Sequence, residues 1–148
     1  RLEICNFFKE MNFKNKIFLN EENINFNKYL LHANNSNINL SPGGRVWCSY
    51  RHTDLANFKK PIILPKPNCK TVPGKFIDGE NSIMYETIIK NREICLKPNF
   101  SLKEKVEFYL KNESKRDLIG KNYFELISRY HTTLVRAKYL LEKVNNLL

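Results

Sequence analysis

Apolar residues recur with helical spacing most clearly toward the end of the chain. Leu126, Tyr130, Thr133, Ala137, Leu140, Val144 and Leu147 follow one another at alternating steps of four and three, and Ile127, Leu134, Leu141 and Leu148 widen the same face. A stripe this broad exceeds a two-stranded coiled-coil seam and predicts the spine of a core, with a partner-binding helix as the alternative. Gly120 reads as a breaker, and Asn122 with Glu125 offers a capping box. The last helix is therefore expected to run from Asn122 toward Leu148, roughly 37 Å for some 25 residues. Upstream, Ser101-Leu102-Lys103-Glu104 is a further capping box behind Pro98, and it predicts a helix to about Asn112.

The middle of the chain carries shorter signals. Val46 to Tyr50 reads as a strand, and Thr53 or Asp54 is placed to cap a short helical turn through Phe58. Prolines at 61, 65, 67 and 73 forbid a helix and predict an extended, polyproline-like or edge segment lying over a surface. Lys75-Phe76-Ile77, Asp78-Gly79 and Glu80 to Lys90 predict a hairpin about the favoured Asp-Gly turn. A second turn at Asn91-Arg92 returns the chain as Glu93-Ile94-Cys95-Leu96.

The first third is less periodic. Leu2 to Met11 predicts a short helix and Ile17 to Leu19 a short strand, while Glu21 to Ala33, with Asn20 as a cap, fits neither period. Asn34 to Gly44 is a turn-rich loop ending in Ser41-Pro42-Gly43-Gly44, whose glycines allow the backbone to approach a partner closely. No GK[ST] or GxGxxG follows, so it is not a recognisable nucleotide loop. The expected architecture is α+β: a small antiparallel sheet from the middle of the chain packed against C-terminal helices, the last one long. One domain over 1–148 is expected, with an Asn-rich part at 1–44, a basic, proline-containing β region at 45–100 and a helical part at 101–148.

Composition narrows the classes. The 148 residues are 42% apolar and 12% aromatic, which is too rich for a disordered chain, and no apolar run approaches a membrane span. The chain opens on Arg1-Leu2-Glu3-Ile4-Cys5, without Met or a signal h-region, and reads as a trimmed fragment. Eleven of the 20 Asn fall in the first 40 residues, a bias attributed to an AT-rich genome; the glycosylation patterns at Asn34 and Asn99 are taken as chance. Cysteines at 5, 48, 69 and 95 form no CxxC pair, which predicts free thiols in a reducing, intracellular compartment and no metal or other cofactor.

Charge adds a functional expectation. Of the net +10, +6 lies in residues 45–75, where Arg45, Arg51, Lys59, Lys60, Lys66, Lys70 and Lys75 face only Asp54. Trp47, Tyr50 and Phe58 are interleaved with them and His52 adjoins Arg51. Cations neutralise phosphates and exposed aromatics stack on unpaired bases, so this segment is the expected nucleic-acid surface. Arg129, Arg136 and Lys143 recur every seven residues as a secondary basic ridge, partly spent on Glu125–Arg129 and Lys138–Glu142 pairs. The function expected is a non-enzymatic RNA-binding component of a ribonucleoprotein, ribosomal in type. The alternative is a protein-interaction subunit using the long helix or the proline-rich segment.

Catalytic patterns are sparse. His32, His52 and His131 have no metal-ligand spacing, and a Cys48 or Ser49 nucleophile with His52 as base lacks an elbow motif. Phe76-Ile77-Asp78-Gly79-Glu80-Asn81-Ser82, with Lys97-Pro98-Asn99-Phe100-Ser101, loosely resembles the signature of LAGLIDADG homing endonucleases. That resemblance implies a helix ending in an acidic metal ligand before a DNA-binding sheet, with Asp78 or Glu80 in the acidic role. Asn81 replaces the family's second glycine and Pro73 falls in the preceding helix. The Asp-Gly hairpin accounts for the same residues and is the reading taken, with a metal-dependent nuclease as the remote alternative.

Overall fold

A computed structural model describes residues 2–10, 24–43, 47, 49, 51–67, 73–91, 93–97 and 100–147. In chain order the elements are α1 (Leu2–Glu10), α2 (Phe26–Asn35), β1 (Asn39–Leu40), α3 (Arg51–Asp54), a 3-10 turn (Leu55–Phe58), β2 (Ile62–Pro65), β3 (Ile83–Tyr85), β4 (Thr87–Lys90), β5 (Glu93–Leu96), α4 (Phe100–Lys111), α5 (Glu113–Tyr130) and α6 (Thr133–Asn145). The fold is mixed helix and strand, with a small antiparallel pair, β4–β5, and a helical C-terminal part containing the long α5. Lys90 pairs with Glu93, so the chain reverses between them as the sequence indicates, with Asn91 at positive φ. The strand expected at Ile17–Leu19 and the Asn20 cap lie outside the described residues. So do Val46, Cys48 and Tyr50 of the strand expected at 46–50.

A second sheet was not expected. Strands β1, β2 and β3 run parallel in that order, with Asn39 opposite Ile62 and Ile63 opposite Ile83. This overturns the reading of Pro61–Pro73 as a surface segment for its first part, Pro61 to Pro65; residues 68–72 lie outside the described residues. Pro61 to Pro65 are all buried, and β2 is the central strand. An uninterrupted Ile-Ile-Leu run is what a strand covered on both faces requires. The prolines sit where their missing N–H does no harm: Pro61 precedes the strand and accepts from Asn39 N (2.9 Å), and Pro65 is its last residue.

Alternation along β2 and β3 divides the core in two. Ile62, Leu64 and Met84 join Ala33, Trp47, Leu55, Ala56, Phe76, Tyr123, Leu126 and Ile127. Ile63, Ile83 and Tyr85 join Ile4, Phe8, Leu96, Leu102, Val106 and Ile119. Helical segments thus cover both faces of the parallel sheet, α2, the 3-10 turn and most of α5 on one and α1 and α4 with Ile119 of α5 on the other.

Several local expectations are corrected. Asp78-Gly79 does not close a hairpin: Gly79 N bonds Ser82 O (2.8 Å) in a tight turn, and the following strand pairs with β2 in parallel. Among the described residues before Asp78, 73–77 show none of the helix implied by the endonuclease resemblance. The Asp78 carboxylate accepts from Met84 N (2.7 Å) and Lys105 Nζ (2.5 Å), which staples this turn to α4. Ser101 lies inside α4 rather than capping it. Gly120 does not break the chain but sits within α5, where a Cβ would overlap the Lys59 carbonyl oxygen. It is a close-approach glycine. The Asn122–Glu125 box is likewise internal to α5.

The helical stretch expected from Asn122 to Leu148 begins earlier and is interrupted at His131 and Thr132. The Thr132 side chain accepts from Val135 N (3.4 Å) and caps α6. The interruption divides the apolar stripe: Leu126 and Ile127 are buried and Tyr130 is partly so, whereas α6 buries no residue at all. The core-spine reading therefore holds for α5 and fails for α6.

Candidate ligand site at the carboxyl ends of the parallel strands

Of the residues expected to contact nucleic acid, the described ones divide between core and surface. Arg45, Tyr50 and Lys70 lie outside the described residues. Trp47 and His52 are core, Phe58 is partly buried, and the expected stacking platform is corrected accordingly: Trp47 stands edge-on to His52 (4.7 Å between centroids) and Phe76 (5.4 Å). Arg51 opens α3 and is half-buried. Lys59 lies over the Phe124 ring (4.9 Å), Lys66 pairs with Glu86 (2.9 Å), Lys60 is half-buried and Lys75 is exposed. The secondary ridge is likewise not continuous. Arg129 belongs to α5, while Arg136 and Lys143 belong to α6, and Glu125 pairs with Lys121 (3.8 Å).

What the fold does bring together is a polar cluster where β1, β2 and β3 end. Ser41 follows β1, and its N–H bonds Ile63 O (2.8 Å), extending the ladder by one residue. Its Oγ lies 2.8 Å from His52 Nδ1. Gly43 N donates to the Tyr85 hydroxyl (3.1 Å), tying the loop after β1 to the end of β3. Trp47 Nε1 donates to Pro65 O (2.6 Å), closing the end of β2. Lys66 N bonds Tyr85 O (2.9 Å), and its ammonium meets Glu86 just beyond β3.

Burial sets the protonation of this cluster. His52 is pushed down to about 4, chiefly by burial and secondarily by the Arg51 charge, so its ring is neutral near pH 7. Burial raises Tyr85 to about 12, partly offset by the hydrogen bond from the Gly43 backbone. The hydroxyl therefore stays protonated. Tyr123 OH donates to His52 O (3.0 Å) and fixes the start of α3 against α5. His52 Nε2 is buried with no hydrogen-bond partner.

The Ser41–His52 pair has the spacing of a nucleophile and its base but not the access. Ser41 is 0% and His52 2% exposed, so the pair serves as a buried structural bond. It also displaces the Ser49–His52 pairing drawn from the sequence; Ser49 Oγ instead accepts from Arg51 N (3.4 Å). Cys48 lies outside the described residues. Among those residues no three His, Cys, Asp or Glu gather to hold a metal ion, Cys5 and Cys95 are free, and no helix is long and apolar enough to cross a membrane.

Sequence reasoning missed Ser41 and Tyr85 as partners in this cluster. The available signal was the Ser-Pro-Gly-Gly loop directly after a short apolar segment, together with the continuous run Ile62-Ile63-Leu64. Comparison with protein-family models, with curated proteins and with solved structures gave no match.

Proposed function

We propose that the chain is a binding domain for a small anionic ligand, phosphate-bearing in chemistry, taken up at the carboxyl ends of β1, β2 and β3. In open α/β sheets ligands sit outside that edge, where loops leave the strands and peptide groups are left unpaired. The observation that carries this reading is the junction of all three strand ends by hydrogen bonds from Ser41, Gly43, Trp47 and Lys66, with the buried Ser41–His52 pair bracing that edge from beneath rather than touching the ligand. The anionic class follows from the net charge of +10, since a positive field raises the local concentration of anions. Trp47 is the only tryptophan of the chain and stands within this cluster. Titrating a nucleoside diphosphate, and separately inorganic phosphate, while following its emission tests the reading. A saturable change supports it; an unchanged spectrum up to millimolar ligand contradicts it.

A second reading keeps the non-enzymatic RNA-binding role in a ribonucleoprotein. It is favoured by the exposed Lys59 and Lys75 and by the excess of cations in residues 45–75. With Trp47 and His52 buried, such binding would run through phosphates rather than stacked bases, and would fall steeply with salt. Changing Lys59, Lys60, Lys66 and Lys70 together to Glu should abolish it in filter binding. An unchanged RNA affinity in that variant sinks the second reading and leaves the first intact.

A further inference from the structure

Helix α6 is amphipathic, yet its apolar side faces away from the body of the protein. At 100° per residue, Leu134, Ala137, Leu140, Leu141 and Val144, with Thr133 among them, fall within an arc of about 120°, and Leu147 follows the end of the helix. Leu134, Leu140, Leu141 and Val144 on the arc and Leu147 beyond it are 45% to 87% exposed. The two half-buried residues of the helix, Val135 and Tyr139, lie on the opposite side and mark the side turned inward. Cations stand on both margins of the apolar arc, Lys138 on one and Lys143 on the other, while Arg136 beside Lys143 is turned to His131 Nδ1 (2.9 Å). Glu142, the single acid of α6, is on the inward half.

We propose that α6 is a docking surface for an anionic lipid bilayer, lying in the plane of the headgroups with its leucines directed into the acyl boundary. Three features of the helix select this occupant. Apart from Thr133 in its first turn the arc is aliphatic, so beyond that turn it offers no polar atom for a directional contact and fits an apolar phase better than a hydrogen-bonding groove. Cations flanking the arc on both sides match a diffuse negative surface on either side of the helix, and their stems can lie along the apolar phase while the charges stay in water. A second copy of the chain is disfavoured because its margins would bring Lys138 and Lys143 against cations of the same sign.

Sedimentation of the full chain with vesicles tests this. With phosphatidylglycerol and phosphatidylcholine in equal parts, binding should be at least about ten-fold stronger than to phosphatidylcholine alone, and should weaken toward about 0.5 M salt. Replacing Leu140→Glu and Leu141→Glu together should remove it with unchanged circular dichroism, because both positions are exposed. The charge reversal Lys138→Glu should weaken it without touching the apolar arc. Absence of binding to either vesicle, equal binding to both, or full binding by the double Glu variant overturns the proposal. A chain that ignores vesicles but forms a dimer lost in the double variant assigns the face to a protein surface instead.

Discussion

Ser41 Oγ and His52 Nδ1, 2.8 Å apart, link the loop leaving the first parallel strand to the first turn of the helix that follows it. Both side chains are out of water, so neither can exchange this bond for one to solvent. Removing one partner of a buried hydrogen bond costs the desolvation of the other, about 1–3 kcal/mol. Ser41→Ala is therefore expected to lower the unfolding free energy by about that amount. Urea denaturation checks it, and a change within a few tenths of a kcal/mol would show that the pair contributes little.

The same histidine makes stability depend on pH. Its folded-state value lies at about 4, below the ordinary 6.5, because burial and then the Arg51 charge disfavour the imidazolium. The unfolded chain takes up this proton as pH falls through 6.5, while the folded chain resists until about 4. The contribution is thus fully present above pH 6.5, is lost between 6.5 and about 4, and is constant below. From the two values, that is at most about 3 to 4 kcal/mol for His52. His131 acts in the same sense: burial first, and then Arg136, whose guanidinium is 2.9 Å from Nδ1, hold it down to about 4, with the Gly74 backbone opposing. Proton-detected titration of the two rings should find both neutral at pH 5. Rings already charged at pH 6 would contradict the account.

Gly120 is where α5 meets the carbonyl of Lys59, and a methyl group there has no room. On an open helix surface Gly→Ala adds about 1 kcal/mol of stability. Here the overlap is with backbone, which cannot swing aside as a side chain would. Gly120→Ala should instead destabilise by about 2–3 kcal/mol, in the range of overpacked cores. A rise in melting temperature would mean that the two elements are not in contact.

The two halves of the C-terminal stripe should respond differently to truncation. Leu126 packs in the cluster that lines one face of the parallel sheet, and Leu126→Ala should cost about 2–5 kcal/mol. Leu140 on α6 is 64% exposed, and Leu140→Ala should change stability by less than about 0.5 kcal/mol. Thermal unfolding of the two variants side by side checks this, and equal losses would place α6 in the core.

This contrast shows how far the sequence could be read. The spacing of four and three marks Leu126 and Leu147 alike, because periodicity records which residues share a helix face and not whether anything covers that face. The β4–β5 turn was legible because its signal is local. The parallel sheet was not, since pairing Ile63 with Ile83 depends on contacts distant in sequence, and prolines at 61 and 65 suggested an exposed strand while in fact bounding a buried one. For the same reason Trp47 among cations resembled a stacking platform, although its indole N–H is spent on Pro65 O. Gly120 was read as a breaker because close packing against Lys59 is a tertiary fact that helix propensity does not contain.

The central claim is the location of the ligand, and amide chemical shifts test it most directly. Addition of a nucleoside diphosphate to the isotope-labelled protein should move the Gly43 and Lys66 amides and the Trp47 indole N–H, which mark the carboxyl ends of the parallel strands. Shifts confined to Lys59, Lys60 and Lys75, with those three signals unmoved, would contradict it.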